Sequence, residues 1–499
     1  MWEFILDALQ KVVTPLGIAY MIGGTMLGVL FGALPGLSGG MVMTMLLPIT
    51  YKMDPILALE LFMALHVGSS CGGAIGSILL GIPGTSSSIA TSWDGYAFTK
   101  EGDPVRPLSV TVVSNLFGII PGIIIAMFAA KALADLGVKL GPWEYASMIF
   151  CAIALVIGLE GSSLVKGFIG VGFAVIIACV GVDPMLGRAR FTFGITEFYD
   201  GFNVVNLMLG LFAAKIIMME YVKQSKTGDA SKVKVDKFRW PGKDIKDNLF
   251  NIVSSFLIGA FIGFLPGLGG PTSSVVAYST NKTLAKDKEK WGNGAIGGVW
   301  APEVATKGGI GGAMIPMIAL GIPGDVIMVQ FMTVMAVHGV TAGPTLMMER
   351  PDMVYILYTA ALIGSIFVFL VQVFTMPLFP KFLSIPYHYL YPAIIIISFL
   401  GAYMVKTNVF GIMVAVGACI LGLVMDYFDI PIMPFIMTYI LAGLFEKYLR
   451  QGINNAPNGI WTFVTRPVSA IFLVVGVAVL ILNTILPAIK RAKANKVKA

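Results

Sequence analysis

Long apolar runs separated by short polar stretches occupy almost the whole chain. A helix needs roughly 20 residues to cross a hydrocarbon core of about 30 Å, and many runs approach that length. The strands of a membrane β-barrel would instead alternate polar and apolar residues over about 10-residue segments. The pattern predicts an all-α polytopic membrane protein with roughly 10 to 14 membrane segments, including re-entrant pieces. The predicted spans are 16–34, 56–81, 110–134, 145–160, 164–182 and 203–221 in the first half, and 249–265, 296–322, 326–342, 355–377, 388–404, 408–425 and 428–446 in the second.

Proline and glycine interrupt several of these runs. The stretch "LPGLSGG" (34–40) is echoed by "LPGLGGP" (265–271) in the second half of the chain. Proline removes a backbone donor and glycine permits positive φ, so each stretch is predicted to end one helix and start another. Inside a bilayer an unwound backbone is tolerated only where protein or water satisfies its polar groups. We therefore expect both breaks to lie near the membrane centre and to border a cavity.

Further matches in the same order indicate an internal duplication. "GGAIGSILLGIPG" (72–84) returns as "GGAMIPMIALGIPG" (311–324), and "LGLF" (209–212) returns as "AGLF" (442–445). All of these matches recur at nearly the same spacing along the chain. Similarity at a fixed spacing is the sequence signature of a repeat. The predicted organisation is a first transmembrane repeat (1–222), a basic linker (223–248), a second repeat (249–450), and a final helix near 468–487 with a basic tail (451–499).

The charge pattern assigns an orientation to these repeats. The chain is 57% hydrophobic and only 12% charged, against about 25% charged in soluble chains. Its basic residues concentrate in 215–246 and in 489–499, which the positive-inside rule places in the cytoplasm. Because both basic segments are then cytoplasmic, the second repeat and the final helix together cross the membrane an even number of times. The final helix crosses once, so each repeat crosses an odd number of times. A tandem copy of such a unit is inverted, with the N-terminus outside. Inverted repeats around a midplane site are typical of secondary transporters.

The breaks also define the candidate binding residues. After each break, the new half-helix points free N–H groups and a positive dipole end into the cavity, which favours an anion. Hydroxyl side chains nearby supply further donors. The predicted substrate-binding residues are Gly36, Ser38, Gly39, Gly40, Thr85, Ser86, Gly267, Gly269, Gly270, Thr272 and Ser273.

Ionisable residues in apolar stretches are candidates for ion coupling. Asp325 follows the second Gly-Ile-Pro-Gly turn and is the strongest of them, as a ligand for Na⁺ or a carrier of H⁺. The predicted ion-coupling set is Asp325, Gly81, Pro83, Gly84, Gly321, Pro323 and Gly324. Asp94, Glu303 and Lys307 are further functional candidates, whereas Glu60, Glu160 and Lys166 are expected at membrane interfaces. No cofactor and no metal beyond Na⁺ is predicted.

Six motifs, in order, resemble the large membrane subunit of the tripartite tricarboxylate transporters. They are "LPGLSGG", "GGAIGSILLGIPG", "WDGYAFTKEG", "LPGLGGP", "APEVATKGGIGGAMIPMIALGIPG" and "VHGVTAGP". The resemblance implies a carrier in a bacterial or archaeal inner membrane, driven by an ion gradient. It also implies a small four-helix membrane subunit and an extracytoplasmic solute-binding protein that delivers an organic acid. A homodimer is one open oligomeric state, membrane lipid is the surrounding partner, and no nucleic acid is expected.

This chain departs from the family's pattern at four positions. The residues after the two Gly-Ile-Pro-Gly turns are Thr85 and Asp325, where the family often has an acidic and a small residue. Thr306 and Lys307 stand in a stretch that is often neutral and rich in asparagine. These positions border the predicted site, so no citrate assignment is made.

Two other functions compete with transport driven by an ion gradient. The "GLSG" at 36–39 matches the GxSG of rhomboid intramembrane proteases, with Ser38 as nucleophile and His66 or His338 as base. The repeat argues against that function, because Gly269 stands where Ser38 would recur. A channel, or a carrier without partner subunits, is the second alternative. The main prediction is a non-enzymatic secondary transporter subunit that imports a di- or tricarboxylate with Na⁺ or H⁺ by alternating access.

Overall fold

Helices build almost all of the structure, a computed structural model. It describes residues 2–34, 37, 39–160, 163–183, 185–223, 233–385, 387–405, 407–456 and 459–498. The one sheet among them is an antiparallel pair of two-residue strands, β1 (Gly181–Val182) and β2 (Ala189–Arg190). The predicted all-α class is confirmed.

The described part of the first half contains ten α-helices, with a π-helical turn (Leu209–Ala214) joining the last two. They are α1 (Trp2–Val12), α2 (Pro15–Ala33), α3 (Gly39–Thr50), α4 (Pro55–Leu80), α5 (Ile89–Lys100), α6 (Val105–Gly137), α7 (Pro142–Glu160), α8 (Leu164–Ala178), α9 (Val204–Met208) and α10 (Lys215–Lys223).

The second half and the C-terminal region contain the remaining helices of the described chain. They are α11 (Gly242–Asp247), α12 (Leu249–Phe264), α13 (Gly269–Leu284), α14 (Gly297–Leu320), α15 (Val326–Val337), α16 (Leu346–Glu349), α17 (Pro351–Thr375), α18 (Phe379–Leu383), α19 (Tyr387–Met404), α20 (Val409–Tyr427), α21 (Ile432–Asn454), α22 (Thr462–Thr465) and α23 (Pro467–Lys498).

Six helical segments of the described chain are long and apolar enough to cross a membrane. They are α2, α4, α6, the α17–α18 segment, α20 and α21, and a pair bent by 86° (Gly459–Thr465 and Pro467–Leu482) adds a seventh when taken as one span. Shorter apolar helices of 10–17 residues, α3 and α12 among them, supply the other apolar segments. The chain is a multi-pass membrane protein.

The helix ends follow from local sequence. Proline at the first position and an oxygen-bearing N-cap start α2 and α4, where Thr14 accepts from Gly17 N at 3.0 Å and Asp54 accepts from Ile56 N at 2.9 Å. Both long helices that precede a Gly-Ile-Pro-Gly turn end on a left-handed glycine. Gly81 closes α4 with φ +69°, and a matching glycine closes α14.

The same helix pair is built once in each half, and glycines allow its close packing. A Cβ at Gly28 of α2 would lie 2.4 Å from Leu65 O of α4. In the second half a Cβ at Gly259 of α12 would lie 2.1 Å from Ala305 O of α14. Small residues permit such approach of membrane helices. The contact therefore relates α2 to α12 and α4 to α14, in agreement with the repeated motifs.

Helix directions show how the two halves are related. Cys71 of α4 contacts Asn115 of α6, and farther along α4 Ile78 lies in one apolar cluster with Val105 at the start of α6. Because the contacts run in opposite order along the two helices, α4 and α6 are antiparallel.

The contacts between α6 and α14 run in the same order. A Cβ at Gly118 would lie 2.6 Å from Lys307 Cβ, and farther along a Cβ at Gly137 would lie 3.0 Å from Ala319 O. Helix α14 is therefore parallel to α6 and antiparallel to α4. The matched long helices of the two halves point in opposite directions, as the predicted inverted-topology repeat requires.

Candidate functional site

A cavity of about 600 Å³ lies where the two halves meet. Its wall includes residues of both breaks, Pro83 and Gly84 of the first Gly-Ile-Pro-Gly turn, Asp325 directly after the second turn, and the middle of α4 and α14. Helices α10, α15 and α21 complete the wall. Ligand sites in transporters with inverted repeats occupy this kind of position at the repeat interface.

Each half contributes matched positions to the wall. When the two Gly-Ile-Pro-Gly turns are aligned, His66 of α4 corresponds to Thr306 of α14, and both line the cavity. Thr85 and Asp325 correspond in the same way, and both line it. The cavity thus has a common backbone plan with different side chains in its two halves.

The first break lies where α2 ends and α3 begins. Leu34 is extended at the end of α2, and Leu37 N donates to its carbonyl at 3.1 Å. Gln330 Nε2 of α15 donates to Gly40 O at 2.7 Å and to Thr44 Oγ1 at 2.9 Å. A side chain from the second half therefore holds the start of α3. The predicted site residues Gly36 and Ser38 lie outside the described residues.

The second break requires glycine for two reasons. Gly267 has φ +85°, and a Cβ there would lie 2.1 Å from Val156 Cγ2. Gly267 N donates to Gly324 O at 2.8 Å, which ties the break to the second Gly-Ile-Pro-Gly turn. Helix α13 then starts at Gly269, which also has positive φ.

Both new helices begin at the cavity wall. Gly39 starts α3, Gly269 starts α13, and each lines the cavity. The first N–H groups of a helix have no partner within the helix and carry the positive end of its dipole. Two positive helix ends therefore border one cavity, an arrangement that favours an anionic ligand.

The first Gly-Ile-Pro-Gly turn leads into a hydroxyl-rich 3₁₀ turn. Thr85 Oγ1 and Ser87 Oγ lie 3.0 Å apart, and Ser88 Oγ donates to Thr85 O at 2.9 Å. A Cβ at Gly270 would lie 3.2 Å from Ser87 Cβ. The hydroxyls of the first half therefore lie directly beside the break of the second half.

The second turn leads into an α-helix capped by a carboxylate. Asp325 is the N-cap of α15, and its Oδ1 accepts from Met328 N at 2.8 Å. Asp325 is also the only carboxylate among the described residues that line the cavity. It combines a structural contact, made by one oxygen, with a negative charge in the cavity wall.

The predicted site residues divide into those that line the cavity and those that do not. The residues that line it are Gly39, Gly40, Thr85, Ser86, Gly267, Gly269 and Gly270 of the substrate set, and Asp325, Pro83 and Gly84 of the ion set. The structure places Thr272, Ser273, Gly81, Gly321, Pro323 and Gly324 outside the lining. Ser273 Oγ instead donates to Gly270 O at 2.9 Å, within α13.

Comparison with known proteins identifies the family. Residues 18–437 match the Tripartite tricarboxylate transporter TctA family. The chain belongs to this TctA family. Membership in a transporter family favours transport over the intramembrane protease function.

Two relatives come from Agrobacterium vitis. The chain is 30% identical over 489 residues to an uncharacterized 52.8 kDa protein in the TAR-I ttuC' 3' region, covering 98% of this chain and 97% of the relative. It is 31% identical over 239 residues to an uncharacterized protein in the TAR-II ttuC' 3' region, covering 48% of this chain and 98% of that relative. No solved structure matches the chain.

One cationic side chain in the wall of this TctA-family cavity is not among the predicted site residues. The charge pattern places Lys215 at the start of the basic cytoplasmic segment, but it lines the cavity and is only 8% exposed. Its Nζ lies 2.5 Å from Asp426 Oδ2 of α20. A single lysine inside the apolar stretch "GLFAAKIIMM" (210–219) is the signal that could have indicated this position.

Glu303 and Lys307 form a buried ion pair behind the cavity wall of α14. Lys307 Nζ donates to Glu303 Oε2 at 2.8 Å, to Ser114 Oγ at 2.6 Å and to Thr111 O at 2.8 Å. Thr91 donates to the other oxygen of Glu303 at 2.5 Å. Because the partners of the pair come from α5 and α6, it links the two halves of this TctA-family chain.

The structure corrects the prediction for Asp94, which does not line the cavity. Its Oδ1 accepts from the backbone N–H groups of Gly292, Gly294 and Ala295 at 2.8–2.9 Å. Its Oδ2 accepts from Tyr278 at 2.8 Å. The side chain is fully buried, so Asp94 acts as an anchor for the segment that leads into α14.

Of the three charged residues expected at membrane interfaces, the structure describes the side chains of two, and these lie in different surroundings. Glu60 is fully buried in α4, and neither carboxylate oxygen has a hydrogen-bond partner among the described residues, so its side chain does not reach solvent as a snorkelling carboxylate would. Lys166 is partly exposed and pairs with Asp429 at 3.0 Å, as an interfacial lysine would. The side chain of Glu160 lies outside the described part of the chain.

Proposed function

We propose that this chain is the subunit that carries an organic carboxylate across the inner membrane, driven by a Na⁺ or H⁺ gradient. The carrying observation is that residues of both breaks, residues of the first Gly-Ile-Pro-Gly turn, and Asp325 directly after the second turn meet at one cavity between two inverted halves. Tripartite transporters of this family include a small membrane subunit and a periplasmic binding protein. The proposed orientation places the basic linker (223–248) and the C-terminus in the cytoplasm.

The proposed site divides the work between backbone and side chains. The N-termini of α3 and α13 bind the anion, with added donors from the hydroxyls of Thr85 and Ser86. Asp325 binds the coupling ion, since a carboxylate in an apolar wall requires a cation or a proton. Motion of one half against the other then exposes the cavity to each side in turn.

The replacement Asp325→Asn tests the coupling role without removing the helix cap. Asparagine caps helices as well as aspartate does, so the bond to Met328 N is retained and stability should change by less than about 1 kcal/mol. The charge is lost. We expect gradient-driven uptake to be abolished while the chain still inserts and melts normally.

The measurement uses membrane vesicles that contain the chain with its two partner subunits. Uptake of radiolabelled citrate, succinate and other carboxylates is followed with and without imposed Na⁺ and H⁺ gradients. The matched control is Asp429→Asn, which removes an exposed carboxylate outside the cavity lining. Normal gradient dependence in Asp325→Asn would contradict the coupling role. Absence of any carboxylate uptake by the wild-type complex would contradict the proposed function itself.

A further inference from the structure

Lys215 occupies an unusual position in the chain. It is the first residue of α10, directly after the π-helical turn Leu209–Ala214. Short π-helical turns within α-helices occur frequently at functional sites. Among the described residues that line the cavity, Lys215 is the only lysine or arginine. The wall around it is apolar, with Leu211, Phe212 and Ile216 as neighbours in sequence.

The partner of Lys215 is placed where it can be exchanged. Asp426 lies in the last turn of α20, at the negative end of the helix dipole, which disfavours a carboxylate there. Its side chain is 30% exposed, against 10% for that of Lys215. Water can therefore solvate Asp426 if the pair opens, whereas Lys215 needs a replacement anion.

The aliphatic stem of Lys215 packs closely against α20 because a glycine stands at the point of contact. A Cβ at Gly422 would lie 3.0 Å from Lys215 Cδ, so no side chain separates the stem from the helix backbone. A Cβ at Gly210, at the start of the π-helical turn, would lie 2.2 Å from Ala415 O. This packing fixes the stem of a lysine that lines the cavity and whose ammonium group pairs with Asp426.

We propose that Lys215 binds a carboxylate of the transported anion, and that Asp426 is its partner while the cavity is empty. This inference rests on the proposed function, because it names the cation that an anionic substrate would meet. Exchange of one carboxylate for another keeps the buried ammonium group paired throughout, so its desolvation is compensated in both states. When "LGLF" (209–212) is aligned with "AGLF" (442–445), Lys215 corresponds to Tyr448, so the site is one-sided.

Binding to the purified full-length chain in lipid nanodiscs tests the assignment. Citrate, succinate and acetate are titrated by calorimetry, with glycerol as a neutral probe. Lys215→Gln should weaken binding of the best anion by roughly ten- to a hundredfold, since a hydrogen bond to a charged group is lost. Asp426→Asn, which removes the competing carboxylate, should tighten it.

The double variant Lys215→Gln/Asp426→Asn separates this role from a structural one. It leaves no unpaired charge, so it should fold and melt close to the wild type, yet still fail to bind the anion tightly. The matched control is Lys166→Gln, which removes a lysine from an exposed pair with Asp429 and should bind like the wild type. Binding by the double variant at wild-type affinity would overturn the assignment. If wild-type chain bound none of the anions, the proposed function would fail together with it.

Discussion

The long helices α4 and α14 have the same place in the two halves but carry opposite chemistry. With the two Gly-Ile-Pro-Gly turns aligned, Met63 and Val67 of α4 correspond to Glu303 and Lys307 of α14. The first pair lies in an apolar cluster, and the second is a buried ion pair. At these positions α4 packs apolar side chains, whereas α14 carries two buried charges that must satisfy each other.

The cavity shows the same contrast at its wall. Thr306 and Asp325 of the second half correspond to His66 and Thr85 of the first. The glycine contacts that set the backbone are matched, whereas the side chains that supply charge or hydroxyl groups are not. The backbone scaffold is therefore matched in the two halves, whereas the side chains of the cavity wall differ between them.

The largest loss of stability is expected when only one residue of the buried ion pair of α14 is replaced by its counterpart from α4. Lys307→Val installs the residue of the first half but leaves Glu303 buried with only Thr91 as partner. Removing one partner of a buried pair typically costs about 3–5 kcal/mol. Denaturant unfolding in detergent should show a loss of this size.

The double change Glu303→Met/Lys307→Val completes the exchange and serves as the control. Both charges are gone, so no ion is left unpaired, and replacement of a buried pair by apolar residues is often close to neutral. The double variant should recover at least half of the stability lost in Lys307→Val. A double variant as unstable as the single one would show that α14 requires the charges for its packing.

The sequence predicted the plan of the fold because backbone signals are local. Proline and glycine indicate where α2 and α12 end. The long apolar runs at 56–81 and 296–322 indicate the positions of α4 and α14. The short return helices α3 and α13 follow the breaks, as the interruptions at 34–40 and 265–271 indicated. The packing of α6 on α14, which joins the halves, depends on contacts between residues far apart in the chain and has no local signal.

Prediction of the candidate site was less complete for the same reason. The glycines of the breaks were placed at the cavity from sequence, but Lys215 and Gln330 reach it only through tertiary packing. Asp94 had the signature of a functional carboxylate, yet four donors from the second half occupy it. A charged residue in an apolar run indicates a partner, and only the fold shows whether that partner is protein or ligand.

The shared scaffold predicts equal responses at matched glycines. Gly28→Ala and Gly259→Ala each force a methyl group against a carbonyl oxygen at 2.4 and 2.1 Å. Each should lower stability by about 1–3 kcal/mol, because overpacking displaces a helix. Gly23→Ala on α2 meets no atom within 4 Å and should be neutral or stabilising by less than about 1 kcal/mol. Thermal unfolding of the three variants measures these changes in stability. A difference between Gly28→Ala and Gly259→Ala that is larger than the change caused by Gly23→Ala would show that the two halves do not respond equally.

The smallest effect is expected at Thr85, the neutral counterpart of Asp325. Thr85→Val keeps the shape of the side chain but removes its hydroxyl contacts with Ser87, 3.0 Å away, and Ser88, 3.3 Å away. Loss of a neutral hydrogen bond costs about 0.5–1.5 kcal/mol, and the apparent affinity for the anion should change only a few-fold. Uptake in vesicles should keep its full dependence on the ion gradient, since the charge of Asp325 is untouched. If Thr85→Val removed that dependence as Asp325→Asn is expected to, the ion would be held by both turns together, and the two walls of the cavity would be equal in function despite their different side chains.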